Sequence, residues 1–291
     1  MNGALLDPAF TRELEALRRR LRVRARSGTA GDHVASRRGS SAEFLEHRAY
    51  TPGDDLRRVD WLAFARTGEP VLKLFRADED VVVRLVVDAS RSLETGDPRK
   101  IDLAKRLAAA IGYLALASSE RAQVLAAGEG RVQMREPVRG RSALAELLRE
   151  LDAIAPAGST DLAGVIDTVV LRSPRPGMLV VVSDFLDPGP FEAALGRASS
   201  AGHDLALVQV LAPEELDPPW EGDLALEDAE TGELVEVTVD ARALEAYRVR
   251  LNALLARLRA VARRHGGTYV RLATGEGLLE AVRRFVARAI D

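Results

Sequence analysis

The sequence predicts a doubly wound α/β fold, a mostly parallel sheet covered by helices on both faces, and three observations carry that prediction. Near-continuous Val/Leu segments occur at VVVRLVVD (81–88), MLVVVSD (178–184) and DLALVQVL (204–211). Helical patterns alternate with them along the chain. Polar residues appear abruptly where two of these strands stop, at Asp88 and Asp184. Strands buried on both faces read as unbroken apolar runs, and in such sheets the ligand site lies at the strands' carboxyl ends.

The elements follow in order. Between Pro8 and Arg26, Phe10, Leu14, Leu17 and Leu21 recur at helical spacing among arginines, which gives an amphipathic basic helix. SGTAGDHVASRRGSS (27–41) has no periodicity and reads as a mobile connection. Residues 1–31 are therefore expected to be a helix and linker, 32–80 a charged segment packed on the core, and 81–291 the main domain. Within the main domain a helix is expected over 99–118, then strands RAQVLAAG (121–128) and RVQMREPV (131–138), and helices over 141–153 and 161–172. After MLVVVSD come a helix near 189–201, the strand 204–211, a long helix over 241–265, the strand TYVRL and a last helix over 276–290. LALEDAETGELVEVTV alternates around a Thr-Gly turn and predicts a β-hairpin inserted within 213–240.

Composition narrows the function classes. The chain has 291 residues, 47% hydrophobic, 29% charged and 4% aromatic, values of a globular protein rather than a disordered, collagen-like or membrane-embedded one. Without cysteine there are no disulfides, thiolate metal sites or cysteine nucleophiles. The four histidines, His33, His47, His203 and His265, lack the spacing of a zinc motif. Only Lys73, Lys100 and Lys105 are lysines among 41 basic residues, a bias read as codon usage. No apolar run approaches the roughly 18 residues of a membrane helix, and the start lacks a signal-like segment, so the cytoplasm is the expected location. Residues 1–40 carry nine arginines against four acids, whereas 212–240 carry eleven acids and no base. The acidic balance and the few aromatics argue against nucleic-acid binding. No phosphate-binding loop of the G-x-x-x-x-G-K-[ST] type is present.

The strongest chemical signal is Asp88-Ala89-Ser90-Arg91-Ser92. In an extended segment, positions i, i+2 and i+4 share a side, so one carboxylate and two hydroxyls converge. Oxygen donors of this kind suit Mg²⁺ or Mn²⁺. A plainer reading has Asp88 ending the strand and Ser92 capping the next helix. Gly158-Ser159-Thr160-Asp161 precedes a helical pattern, so Thr160 stands where a helix begins, and its hydroxyl could serve as a cap. Asp184 belongs to the same rim as Asp88 if their strands are neighbours.

D-x-S-x-S after the first strand, a Thr in a G-S-T-D turn and an Asp ending a later strand resemble the metal-ion-dependent adhesion site of von Willebrand factor A domains. The resemblance implies that Asp88, Ser90 and Ser92 contact the metal and that Thr160 and Asp184 act directly or through water. Ser183-Asp184-Phe185 departs from the S-D-G of many such domains, which bears on the local turn. Upstream, EFLEHRAYTPGDDLRRVDWLAFARTGEPVLKLFRADED (43–80) resembles the signature of the domain-of-unknown-function-58 family, with Glu43, Tyr50, Gly53, Asp54, Asp55, Arg57, Arg58, Asp60, Trp61, Arg66 and Lys73 at matching places. That resemblance implies a MoxR-type AAA+ ATPase as partner. Read without the family, 43–80 is an ion-paired appendage around Trp61 and Phe64 with a turn at Pro52-Gly53.

Together these readings lead to a metal-dependent protein–protein interaction module whose Mg²⁺ or Mn²⁺ is completed by a partner's carboxylate, with the acidic hairpin flanking its mouth. The alternative is a Mg²⁺-dependent phosphohydrolase with Asp88 as nucleophile. Such chemistry wants a second acid nearby, and Ser90 stands in its place. Phosphoester hydrolysis in the presence of Mg²⁺ is thus expected to stay at background. Robust turnover that disappears in Asp88→Asn would favour the phosphohydrolase.

Overall fold

The computed structural model of the chain describes residues 5–18, 43–52, 54–56, 59–76, 81–173, 175–186 and 189–290. The chain divides into two units, one formed by residues 1–26 together with 81–291 and one by residues 27–80. The expected connection at 27–41 with His33, as well as Leu21, Gly53, Arg57 and Arg58, lies outside the described residues, as do the side chains of Glu43, Lys73 and Phe75.

The first helix, α1 (Pro8–Arg18), belongs to the large unit. The small unit contains an antiparallel pair, β1 (Glu43–Ala49) and β2 (Val71–Arg76), with helix α2 (Trp61–Thr67) between them in sequence. Its charged residues do local structural work. Asp60 caps α2 by accepting from the Leu62 and Ala63 backbone N–H groups at 3.1 Å each, and its other oxygen lies 3.0 Å from His47 Nε2. Asp54 closes the turn at Thr51 through that residue's N–H at 2.9 Å and hydroxyl at 2.8 Å, and receives Arg48 at 2.7 Å. Those donors, the Thr51 backbone first, hold the Asp54 carboxyl well below the usual range. Trp61 and Phe64 stack edge-on at 6.1 Å, and Trp61 is 58% exposed.

The large unit is built on a seven-stranded sheet. After α1 it comprises β3 (Val82–Asp88), α3 (Lys100–Ala117), β4 (Arg121–Gly128), β5 (Arg131–Met134), β6 (Val138–Arg139), α4 (Leu144–Asp152), α5 (Leu162–Arg172), β7 (Met178–Ser183), α6 (Phe191–Ser200) and β8 (Asp204–Leu211). There follow α7 (Pro213–Leu216), the two-stranded hairpin β9 (Gly222–Glu227) and β10 (Leu234–Val239), α8 (Ala241–Arg264), β11 (Thr268–Ala273) and α9 (Leu278–Ile290). The strand order is β11-β8-β7-β3-β4-β5, with β6 also on β4. Strands β11, β8, β7, β3 and β4 run parallel, and β5 and β6 are antiparallel additions at the edge. The single segment expected at 131–138 is thus two short strands on the same neighbour. From β3 the chain goes to β4 on one side and returns to β7 on the other, which makes the gap between β3 and β7 the topological switch point.

Alternate strand residues feed two cores. Val83, Leu85 and Val87 join Phe10 and Leu14 of α1, much of α3, Leu147 and Leu151 of α4, and Val282 and Phe285 of α9. Val86, Leu179, Val181, Leu205 and Leu207 face α5, α6 and α8. All seven residues of β3 are buried, as a central strand with both faces covered requires. At Gly112 a Cβ would stand 2.6 Å from Leu147 Cδ2 and 3.1 Å from Leu85 Cδ1, so glycine permits the close approach of α3 to the sheet.

The basic first helix is a core element. Leu14 is fully buried, and the Tyr113 hydroxyl of α3 donates to Glu15 at 2.6 Å. The hairpin strands pair from Gly222↔Val239 to Glu227↔Leu234, and the loop between them, 228–233, is longer than the Thr-Gly turn expected from the sequence. Leu14→Ala should lower unfolding free energy by about 2–5 kcal/mol, the range for a Leu→Ala cavity in a packed core. Urea denaturation beside exposed Arg12→Ala measures it, and equal midpoints would contradict the assignment of α1 to the core.

Candidate metal centre

Asp88 ends β3 in the core and is 3% exposed. The loop after it is braced from both sides: Ala89 N–H donates to the Ala127 carbonyl at 2.6 Å, and the Ala89 carbonyl accepts from Ala157 N–H at 2.7 Å. Gly128 makes room for that loop, since a Cβ there would sit 3.0 Å from the Ala89 oxygen. Asp88 Oδ1 accepts from Ser90 N–H at 2.9 Å and from Thr160 Oγ1 at 2.8 Å, and Oδ2 accepts from Ser183 Oγ at 2.5 Å. Ser90 Oγ lies 2.9 Å from Ser92 Oγ, which donates to Asp184 Oδ2 at 2.8 Å. Asp88, Ser90, Ser92, Thr160 and Asp184 thus form one connected cluster at the switch point.

Asp88 does end β3, but neither the Ser92 nor the Thr160 hydroxyl serves as a helix cap. Ser92 lies inside a 3₁₀ turn (Arg91–Glu94) and turns its hydroxyl to Asp184. Helix α5 is capped by Asp161, which accepts from Gly164 N–H at 2.9 Å, leaving the Thr160 hydroxyl to Asp88 and to its second contact with the Ala127 carbonyl. Phe185, where the resemblance led one to look for glycine, adopts a left-handed φ of +56°. Such a backbone is strained for a bulky residue. The strain is offset by a ring buried against Phe191, centroids 5.7 Å apart, and by Phe185 N–H donating to Ser183 Oγ at 2.9 Å. The departure changes the residue and keeps the turn.

Four participants escaped the sequence reading. Lys100, fully buried at the start of α3, donates to Asp184 Oδ2 at 2.8 Å and to Glu215 Oε1 at 2.6 Å. Burial works against its charge, but the Asp184 and Glu215 carboxylates more than offset this and hold the ammonium above its ordinary value. Glu215, in the short helix after β8, is fixed by Ala212 N–H at 2.8 Å. Ser183 supplies the Asp88 contact, and Gln209 donates to the Asp184 carbonyl at 2.8 Å while accepting from the Tyr269 hydroxyl at 2.6 Å. Signals for two of them existed: Lys100 is one of three lysines among 38 arginines, and Gln209 interrupts an otherwise apolar strand.

The donor set suits a hard divalent cation, with carboxylate and hydroxyl oxygens and no nitrogen or sulfur ligand. Among the described residues no three His, Cys, Asp or Glu side chains make a metal cluster by themselves. Burial pushes the Asp88 carboxyl up, and the Asp184 charge pushes it further. Asp184 and Glu215 are two acids on the one ammonium of Lys100, and Asp88 stands beside them without a cationic partner of its own.

Removing Lys100 strands two carboxylates. Lys100→Met should destabilise the protein by about 3–5 kcal/mol at neutral pH, the usual result of deleting one partner of a buried ion pair. Because the folded-state value is raised, the lysine's contribution is complete below its ordinary 10.5 and declines as pH rises above it. Denaturation from pH 7 to 11 should show the variant losing less stability over the alkaline range than the parent. Equal stability at pH 7 would contradict the role given to this ammonium.

Comparison with known proteins places the chain in a family. The family described as "Protein of unknown function DUF58" matches residues 46–261. Uncharacterized protein Mb1516 of Mycobacterium bovis and Uncharacterized protein Rv1480 of Mycobacterium tuberculosis are each 35% identical over 293 residues, covering 99% of this chain and 92% of theirs. Among solved structures, BatB from Bacteroides thetaiotaomicron aligns with 16% identity and a TM-score of 0.46 over 72% of this chain and 98% of that one. A von Willebrand factor type A protein from Catenulispora acidiphila aligns with 16% identity and a TM-score of 0.44 over 75% of this chain and 44% of that one. On a family match spanning most of the sequence and relatives aligned along nearly all of it, the chain belongs to the DUF58 family.

Proposed function

We propose that the protein is a metal-dependent interaction module: Asp88, Ser90, Ser92, Thr160 and Asp184 would hold Mg²⁺ or Mn²⁺, and a carboxylate from a partner protein would complete the shell. The observation that carries this reading is the cluster itself, five oxygen-bearing residues from three separate loops joined by side-chain bonds and the Ser90 backbone N–H at 2.8–2.9 Å around the switch point. The cation, when bound, supplies positive charge to an acidic, largely buried cluster and a strong attraction for an incoming acid. The resemblance to its family points to a MoxR-type AAA+ ATPase, or a client of one, as the partner.

The surroundings of Asp88 favour this reading over a phosphohydrolase. Both of its oxygens accept hydrogen bonds, from Ser90 N–H, Thr160 and Ser183, which orient the carboxylate and blunt it as a nucleophile. In calorimetry the full chain should bind Mn²⁺, and Asp88→Ala should abolish the heat while its circular dichroism stays unchanged. Proteins co-purifying with the tagged chain should be lost both on adding chelator and in Asp88→Ala. Undiminished Mn²⁺ affinity in a folded Asp88→Ala protein would overturn the site.

A further inference from the structure

The hairpin β9–β10 is a sheet of its own, two strands that pair with each other and, among the described residues, with no third. Its register gives the two faces different chemistry. Leu224 lies opposite Val237 and Leu226 opposite Val235, so one face is apolar. Asp223 lies opposite Thr238, Ala225 opposite Glu236 and Glu227 opposite Leu234, so the other face carries the acids. The apolar face is covered only toward its root. Leu224 and Val237 are half-buried there, whereas Leu226 is 45% and Val235 53% exposed nearer the tip. A cross-strand apolar pair left in water beside a charged surface marks a place where another chain can gain by burial.

The tip loop fixes which backbone groups face outward. Asp228 N–H donates to the Glu233 carbonyl at 2.8 Å, which makes those two residues a hydrogen-bonded pair of the ladder. Such pairs alternate along antiparallel strands. Leu226 is therefore bonded to Val235 and Leu224 to Val237, and the N–H and C=O groups of Asp223, Ala225 and Glu227 point away from β10 along the outer edge of β9. All three residues are exposed. The pairing of β9 with β10 is unbroken, and β9 contains neither the proline nor the lysine that commonly blunts an open edge. An isolated two-stranded hairpin is marginal in water and gains from a third strand.

Charge selects what that strand is. Residues 212–240 carry eleven acids and no base, and Glu227 and Glu236 are exposed and make no ion pair among the described residues. Asp223 accepts from the Thr238 hydroxyl at 2.6 Å and keeps its other oxygen for a further contact. A second copy of the hairpin would set like charges edge to edge, which is destabilising. A strand with basic residues on the acidic face would instead meet Asp223 and Glu227, while its apolar residues would extend the row of Leu224 and Leu226. The outer edge of β10 presents Leu234, Glu236 and Thr238, a single acid, and offers such a strand less.

We propose that the outer edge of β9 is a docking strand for a partner protein, whose extended segment alternates basic and apolar residues and adds a third strand to the hairpin. The backbone groups of Asp223, Ala225 and Glu227 supply the attachment. Alternation supplies the register, because a slip of one residue would lay basic side chains on the apolar face and apolar ones among the acids. The surface uses none of the metal-centre residues and adds a second, metal-independent contact to the interaction reading.

The test uses the full chain and a short capped peptide of alternating arginine and valine, with amide exchange followed residue by residue by NMR. The peptide should slow exchange of the Asp223, Ala225 and Glu227 amides about tenfold or more, while the Leu224 and Leu226 amides, already bonded to β10, change little. Chelator should alter neither result. Ala225→Pro removes the central donor of the outer edge without touching the ladder to β10, and should weaken peptide binding about tenfold or more, with the Leu224 and Leu226 amides still protected. Glu227→Gln should weaken it about threefold at low salt and less at high salt. A peptide of the same residues in two blocks, arginines then valines, should bind more weakly than the alternating one. Failure of the alternating peptide to bind, or binding that leaves the three outer amides unchanged, would overturn the docking edge. Equal binding of the blocked peptide, or parent-like affinity in Ala225→Pro, would overturn it as well.

Discussion

Asp88 sets the terms for everything around it. A carboxylate at the end of a strand covered on both faces has no access to bulk water, and its charge has to be met by groups from neighbouring segments. The donors come from three directions: the backbone just beyond β3, the loop before α5 and the end of β7. Parallel neighbours make this possible, because β4 and β7 both emerge on the edge where β3 stops. The same sheet order places Asp184 beside Ser92. A polar cluster here follows from the topology, and its oxygen-rich composition follows from the choice of Ser, Thr and Asp at those exits.

Lys100 explains how such a centre coexists with a stable fold. Two acids on neighbouring elements, Asp184 and Glu215, share one fully buried ammonium, so part of the negative charge is balanced from within. A compact ammonium on a flexible stem suits this position better than the planar guanidinium the chain uses almost everywhere else. The balance is incomplete, with Asp88 sharing no part of it. On the proposed function, that division would leave enough internal charge compensation for folding and a residual negative charge for a divalent ion.

Much of this was legible in the sequence. The parallel strands announced themselves as unbroken apolar runs, and the five candidate ligands each stood at the end of such a run or in a turn, where a polar residue is conspicuous. Other features depended on long-range contacts that no local pattern encodes. Lys100 and Glu215 are 115 positions apart, and either reads alone as an ordinary helix-surface residue. The hairpin was visible as an alternating acidic segment, but Asp228 organises a tip loop longer than the Thr-Gly dipeptide revealed. The first helix reads in the sequence as amphipathic and basic, and its buried Phe10 and Leu14 pack it with α3 and α9. Phe185 is the instructive middle case: the sequence marked the departure, and only the backbone shows that the turn survives it.

Metal binding at the end of β3 is tested most directly by the position of a bound ion. Crystals of the full chain grown with Mn²⁺, with data collected to exploit manganese anomalous scattering, locate the metal without reference to any interpretation of the site. A metal-dependent module should give a single strong anomalous peak at the carboxyl end of β3, bounded by the Asp88 carboxylate and the Ser90 and Ser92 hydroxyls. A map in which those side chains keep only their mutual hydrogen bonds, with manganese bound elsewhere or nowhere at millimolar concentration, would contradict it.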